Sequence, residues 1–322
     1  MQILITGVAG FIGANLTEKL LSLGHTIIGV DNLNDYYDVE LKLARLKIIE
    51  SHKNSQYFRF QAMDIVERDS VANLFKDFSF DVVVHLAAQA GVRHSIDHPQ
   101  AYIDSNLVGF GNIIEGCQHA NVAHFIYASS SSVYAGNKNF PFKESDRVDT
   151  PVSLYAATKK ANELMAHSYH ELYGFRCTGL RFFTVYGPYG RPDMAPFIFA
   201  RKMLQGEAIP VFNDGNMIRD FTYIDDVCNG VVRVVGSETS ECSNNIYNIG
   251  RGEPVELMTF INKLSHYLNV EAKFKFLPMQ QGDVTRTMAD TSALKKDFGY
   301  QPTTSIEEGV KRFALWYRDY YA

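Results

Sequence analysis

Gln2-Ile3-Leu4-Ile5-Thr6-Gly7-Val8-Ala9-Gly10-Phe11-Ile12-Gly13 passes from a strand pattern to a helix pattern through three glycines. Gln2 to Thr6 is a short apolar run with β-branched residues, which predicts a strand. From Ala14 to Leu23 the apolar residues recur at helical spacing. Strand, glycine turn, helix is the context that a dinucleotide fingerprint requires. Gly7 permits the tight turn. Gly10 lets the backbone approach a pyrophosphate, and Gly13 lets the helix pack close to the strand. Phe11 and Ile12 open that helix, whose free amides and positive dipole end would face the phosphates. The spacing is Gly-x-x-Gly-x-x-Gly, a departure from Gly-x-Gly-x-x-Gly.

A second strand, Thr26 to Val30, ends in Asp31, followed by Asn32. An acidic residue about twenty positions after the glycines suits hydrogen bonding to an adenosine ribose. It would repel a ribose phosphate, so NAD is expected rather than NADP. Asn32 to Glu50 reads as a loop and helix, and Gln56 to Ala62 as a strand ending near Asp64-Ile65. That pair is placed to meet an adenine, though a helix-cap role suits Asp64 equally. Asp81-Val82-Val83-Val84-His85-Leu86-Ala87-Ala88 is a buried parallel-type strand followed by small residues, which let a flat cofactor pass. Ala101 to Ala120 is predicted as one long helix containing Asn106. His124 to Ala128 and Arg176 to Phe182 complete five or six strands alternating with helices.

That alternation predicts an α/β fold, a Rossmann-type doubly wound parallel sheet whose ligands bind beyond the strands' carboxyl ends. After Phe183 the pattern changes to loops and shorter elements. A smaller α/β substrate-binding domain is expected, with the chain crossing more than once. The divisions are 1–182 and 222–249 for the NAD-binding part, and 183–221 and 250–322 for the other.

Apolar residues make up 46% and charged residues 21%, ordinary for a globular chain, and the net charge of −5 argues against a nucleic-acid surface. No signal segment or membrane span is expected. Cys117, Cys177, Cys228 and Cys242 lie far apart without a Cys-x-x-Cys unit, which reads as reduced, mostly buried thiols of a cytoplasmic protein. His94 and His98 stand four apart, but Pro99 follows and no third ligand is evident, so a loop and no metal are expected.

Tyr155 and Lys159 are four residues apart near the start of a predicted helix, on one face and one turn apart. A phenol is a weak base near neutral pH, and a nearby ammonium favours the phenolate. The pair therefore reads as a proton-transfer device. Upstream, Ser129-Ser130-Ser131-Ser132-Val133-Tyr134 follows a strand at the same sheet edge.

These pieces together resemble the extended short-chain dehydrogenase/reductase family, and within it the UDP-glucuronate 4-epimerases. The resemblance rests on the glycine turn, Asp31, His85-Leu86-Ala87-Ala88, the serine run, Tyr155-x-x-x-Lys159 and Arg219-Asp220-Phe221. Asn34-Asp35-Tyr36-Tyr37-Asp38, Gln89-Ala90-Gly91-Val92-Arg93 and Gly190-Arg191-Pro192-Asp193 narrow it. Departures are Ala135 before Gly136, and Gln280-Gln281-Gly282-Asp283 where relatives carry Gln-Pro-Gly-Asp. The resemblance implies Tyr155 as the proton-transfer residue, with Lys159 binding the nicotinamide ribose and lowering the phenol's pKa. Ser130 would hydrogen-bond the reacting hydroxyl. Ser131, Ser132, Thr184 and Arg191 would surround a sugar carboxylate. Arg219 and Asp283 would hold a UDP, with Val211 and Phe212 beside the uracil. It also implies tightly bound NAD, a UDP-sugar substrate and a homodimer through the helices near 101–120 and 153–173. Decarboxylating and dehydrating relatives carry an acid where this chain has Ser132, so neither activity is expected.

Overall fold

The computed structural model describes residues 1–237, 243–280 and 283–321. Its centre is a seven-stranded, wholly parallel sheet. In chain order the strands are β1 (Gln2–Thr6), β2 (Thr26–Asp31), β3 (Phe58–Ala62), β4 (Val82–His85), β5 (His124–Ser130), β6 (Arg176–Phe182) and β7 (Asn244–Ile249). Across the sheet they run β7-β6-β5-β4-β1-β2-β3. The order reverses at β1, which pairs with β2 on one side and β4 on the other. A crevice opens at such a reversal, beyond the carboxyl ends of the strands. Register aligns Thr6 with Val30 and His85, so Gly7, Asp31 and Leu86 emerge side by side.

Helices cover both faces, and β4 and β6 are buried along their length. This is why those strands read as continuous apolar runs. One face packs Ile3, Ile5 and Val84 into a cluster that continues through Phe221, Phe260 and Phe313. The sheet and the C-terminal elements therefore share a core. The other face packs Leu4, Val83 and Phe125 against Phe110 and Ile113.

Beyond β6, three two-stranded sheets form among the described residues: Thr184–Tyr186 with Phe221–Tyr223, Ile218–Arg219 with Val255–Glu256, and Ala208–Phe212 with Lys273–Leu277. Asp220 organises them. Its buried carboxylate accepts from the amides of Arg251, Gly252 and Ala289 at 2.8–2.9 Å.

The expected long helix is helical throughout but not uniform. Pro99–Ile103 and Phe110–His119 are α-helical, and Asp104–Gly109 between them is a π-helix. His94–Asp97 is a helical turn rather than the expected loop, with the His94 and His98 rings stacked 4.2 Å apart. Cys117, Cys177 and Cys228 are buried, as expected. Cys242 lies outside the described residues.

Candidate active site

One cleft runs along the carboxyl edge of the sheet from Asp31 past the glycine turn to Arg191. Gly7 takes φ +73°, and its amide bonds the Val30 carbonyl at 2.8 Å. A Cβ on Gly7 would sit 2.8 Å from the Ala87 nitrogen. A Cβ on Gly13 would sit 2.2 Å from the Gly7 carbonyl oxygen. So Gly13 serves contact between helix and turn rather than helix and strand. The Phe11–Ser22 helix begins without a side-chain cap, which leaves its first amides to a ligand. Phe11 and Ile12 line the cleft there.

Asp31 accepts from the Ala9 amide at 3.1 Å and the Leu33 amide at 2.9 Å, so it braces the turn as well as facing the cleft. Asn32 donates to Asp64 at 2.9 Å, and Asp64 also accepts from the Val66 amide. Asp64 lines the cleft, but it caps no helix: the next one, Arg68–Asp77, has Glu67 at its N-cap, and the bond from Val66 makes a local turn. Ile65, Leu86, Ala87 and Ala88 line the same wall. Asn106 does not line it. Its amide nitrogen donates to the Gln89 carbonyl and to Thr158, and its oxygen accepts from the Gln89 amide. Buried and fully occupied, it ties the segment after β4 to the Tyr155 helix.

Ser153 caps the Leu154–Tyr173 helix by accepting from the Ala156 amide. The first turn then presents Tyr155 and Lys159 to the cleft. Burial pushes the Tyr155 phenol up, while the Ser130 hydroxyl and the Arg191 charge pull it down. Lys159 lines the same stretch of the cleft. Its Nζ donates to the Ala128 carbonyl at 2.9 Å, and burial pushes the ammonium down to about 8. Ser130 donates to the Ser132 hydroxyl at 3.1 Å, and Ser131, Ser132 and Thr184 complete this part of the wall. One turn beyond Lys159, buried Glu163 accepts from Ser129 at 2.7 Å and takes both arms of Arg181 at 2.8 Å.

Arg191 reaches the cleft but is not a free cation. It donates to both Asp193 oxygens, at 3.0 and 2.5 Å, and the Tyr36 hydroxyl adds a bond to Asp193 at 3.1 Å. Burial opposes ionisation of Asp193, yet Arg191 and Tyr36 hold its carboxyl below the usual range. The Tyr36 ring lies tilted against His94, 4.6 Å between centroids, and crowds Gly91, where a Cβ would lie 2.9 Å from its hydroxyl.

The residues expected at the nucleotide end form a separate group. Arg219 donates to Asp283 at 2.8 Å, Arg93 stands 4.0 Å from Asp283, and the Arg93 guanidinium lies 5.5 Å over the Phe212 ring. The Val211 side chain is wholly within the core, so only its main chain can face a ligand. Gln281 and Gly282, expected in the substrate loop, lie outside the described residues.

Sequence reading assigned no role to four contributors: Lys42, Tyr36, Asp193 and Arg45. Lys42 lines the cleft and donates to Asn34 at 2.6 and 2.8 Å. Tyr36 and Asp193 were quoted only as marks of resemblance. Arg45 is fully buried and bonds four groups: the carbonyls of Ala9, Tyr189 and Gly190, and the Tyr37 hydroxyl. It thereby fastens the glycine turn to the loop that carries Arg191. Among the described residues, no three His, Cys, Asp or Glu side chains are grouped to hold a metal. No described helix is long and apolar enough to cross a membrane.

Residues 3–250 match the model of the NAD dependent epimerase/dehydratase family. A probable UDP-glucuronate 4-epimerase of Rhizobium meliloti (strain 1021) is 43% identical, over 100% of this chain and 98% of its own length. The UDP-glucuronic acid 4-epimerase of Bacillus cereus, solved with UDP-glucuronic acid and NAD, superposes with a TM-score of 0.93 at 34% identity, covering 100% of both chains. A UDP-glucose 4-epimerase from Thermotoga maritima, solved with UDP-glucose, gives 0.89 at 30% identity, again over 100% of both.

Proposed function

The chain belongs to the NAD dependent epimerase/dehydratase family, and we propose that it converts UDP-glucuronate to UDP-galacturonate by inversion at the sugar's fourth carbon. The observation that carries this reading is one stretch of cleft wall. It sets Tyr155 and Ser130 beside three further hydroxyls and Arg191, with no acidic side chain from 129 to 134.

NAD is the cofactor, and the residues fit it. The turn has no room for side chains at Gly7 and Gly13, the helix behind it offers uncapped amides, and Asp31 stands where a ribose would lie. Bound NAD supplies hydride acceptance and return at the fourth carbon. The other steps belong to the protein. Tyr155 takes the proton of the C4 hydroxyl and later gives it back. Ser130 and Arg191, which ease its ionisation, offset part of the cost of burying a phenolate. Lys159 holds the nicotinamide ribose while anchored on Ala128. Inversion requires the planar 4-keto sugar to turn over between loss and return of hydride. Ser131, Ser132 and Thr184 suit that step, since neutral hydroxyls can bond either face of the ring.

Grip on the substrate then falls to the other end. We assign Arg219, Asp283, Phe212 and Arg93 to the UDP, which stays held while the sugar turns. The ranges 183–221 and 250–322 act as the nucleotide-sugar domain, and 1–182 with 222–249 as the NAD domain. Buried thiols at Cys117, Cys177 and Cys228 support a reducing, cytoplasmic setting. A homodimer is supported by the helices of 99–119 and 154–173, which pack side by side and expose Val108, Leu164 and Leu172.

The ion pair of Arg191 with Asp193 favours a second reading, a 4-epimerase for neutral UDP-hexoses, because a neutralised cation is less obviously meant for a carboxylate. The test is incubation with UDP-glucuronate, without added NAD, followed by NMR of the sugar, with UDP-glucose in parallel. UDP-galacturonate should appear. Fast turnover of UDP-glucose alone would overturn the assignment.

A further inference from the structure

Arg191 lines the cleft and forms a two-point ion pair with Asp193 behind it, with side chains 24% and 29% exposed. Asp193 takes the Nε and Nη2 donors of Arg191, and the remaining edge of the guanidinium can still meet a second carboxylate. The sugar carboxylate and Asp193 therefore share one positive charge. Tyr36 bonds the Asp193 oxygen that also takes the shorter Arg191 contact. That bond draws off part of the charge Asp193 would otherwise give to Arg191. The arrangement spans the cleft, since Tyr36 follows β2 whereas Asp193 lies beyond β6.

We propose that Asp193 is a resident counter-ion that keeps Arg191's hold on the sugar carboxylate exchangeable, so that the 4-keto sugar can turn over. This rests on the reading of Arg191 as the carboxylate's partner. The physical need is specific to inversion. A charged, two-point grip in a partly dry cleft would fix the ring in one orientation and add its own strength to the barrier for turning. A carboxylate already at hand takes back the guanidinium as the sugar leaves it, so neither charge is stranded. Asp193 is accordingly a positioning residue that acts through Arg191. Its influence also reaches Tyr155, whose phenol it pushes up while Arg191 pulls it down.

The experiment compares Asp193→Asn, Tyr36→Phe and Arg191→Gln in the full-length, cofactor-loaded protein. Binding of UDP-glucuronate and of UDP alone is measured by calorimetry, alongside kcat, KM and the steady-state absorbance of reduced nicotinamide. Asp193→Asn should tighten UDP-glucuronate roughly three- to tenfold, the size of one competing charge at a screened site. It should also lower kcat and raise the steady-state level of reduced nicotinamide, with UDP binding unchanged. Tyr36→Phe leaves Asp193 more charge to spend on Arg191, so UDP-glucuronate should weaken. A structural lesion would move both variants the same way. If Arg191→Gln leaves UDP-glucuronate binding unchanged, the reading of Arg191 fails. If Arg191→Gln weakens it but the other two variants do not shift it in opposite directions, only the counter-ion role fails. Should Asp193→Asn not fold, a Tyr36→Phe protein with unchanged or tighter binding overturns the proposal by itself.

Discussion

Tyr155 sits in a site that resists its ionisation, so its value lies in the few groups that help it. Tyr155→Phe keeps the ring and removes the proton carrier. Turnover of UDP-glucuronate should fall about a hundredfold to ten-thousandfold, with binding by calorimetry nearly unchanged. Lys159 gives a pH test with a definite sign. Its folded value of about 8 lies below the ordinary 10.5, so between those pH values the unfolded chain binds more protons and stability rises with pH. Melting temperatures of wild type and Lys159→Met, followed across that range, should show the wild type gaining on the variant, and no such gain below pH about 8. Arg191→Ala frees a β-keto carboxylate from its partner. Carbon dioxide release per turnover should rise above wild type, and a variant that binds substrate normally yet releases no excess would remove Arg191 from that protective role.

The helix that bears Tyr155 carries two functions along one face: chemistry at Tyr155 and Lys159, then architecture at Glu163. Breaking the buried Glu163–Arg181 pair strands a guanidinium that is 2% exposed. Glu163→Gln should cost about 3–5 kcal/mol, seen as a lower denaturation midpoint, while the amide oxygen can still accept from Ser129. Strands and helices of the sheet half were legible because their signals are local. A continuous apolar run, a glycine turn and an i, i+4 pair are visible in a few residues. The π-helical Asp104–Gly109 segment was not, since its wider turn exists to let Asn106 bond Gln89 and Thr158, partners distant in sequence. Asn106 was mistaken for a cofactor ligand for the same reason. A buried asparagine that serves the backbone looks like one that serves a ligand.

Two copies of the chain should meet through the helices of 99–119 and 154–173. Leu164, 55% exposed, and Leu172, 72% exposed, stand two turns apart on one face. Leu164→Lys should shift sedimentation from dimer toward monomer, while a protein that stays dimeric would move the interface elsewhere. The C-terminal part was hardest to read in advance. Its small sheets pair ranges far apart in the chain, and a strand's sequence does not say which face meets the core, as at Val211. Arg45 went unnoticed for a related reason: its partners are mostly carbonyl oxygens, which every residue possesses. That makes the clamp indifferent to side-chain identity at 189 and 190. Packing constrains those positions instead: a Cβ on Gly190 would sit 2.7 Å from the Phe197 ring, and the Tyr189 ring lies 4.7 Å from Trp316. A loop exchanged from another sugar-handling relative would keep the clamp only if it also kept these two contacts.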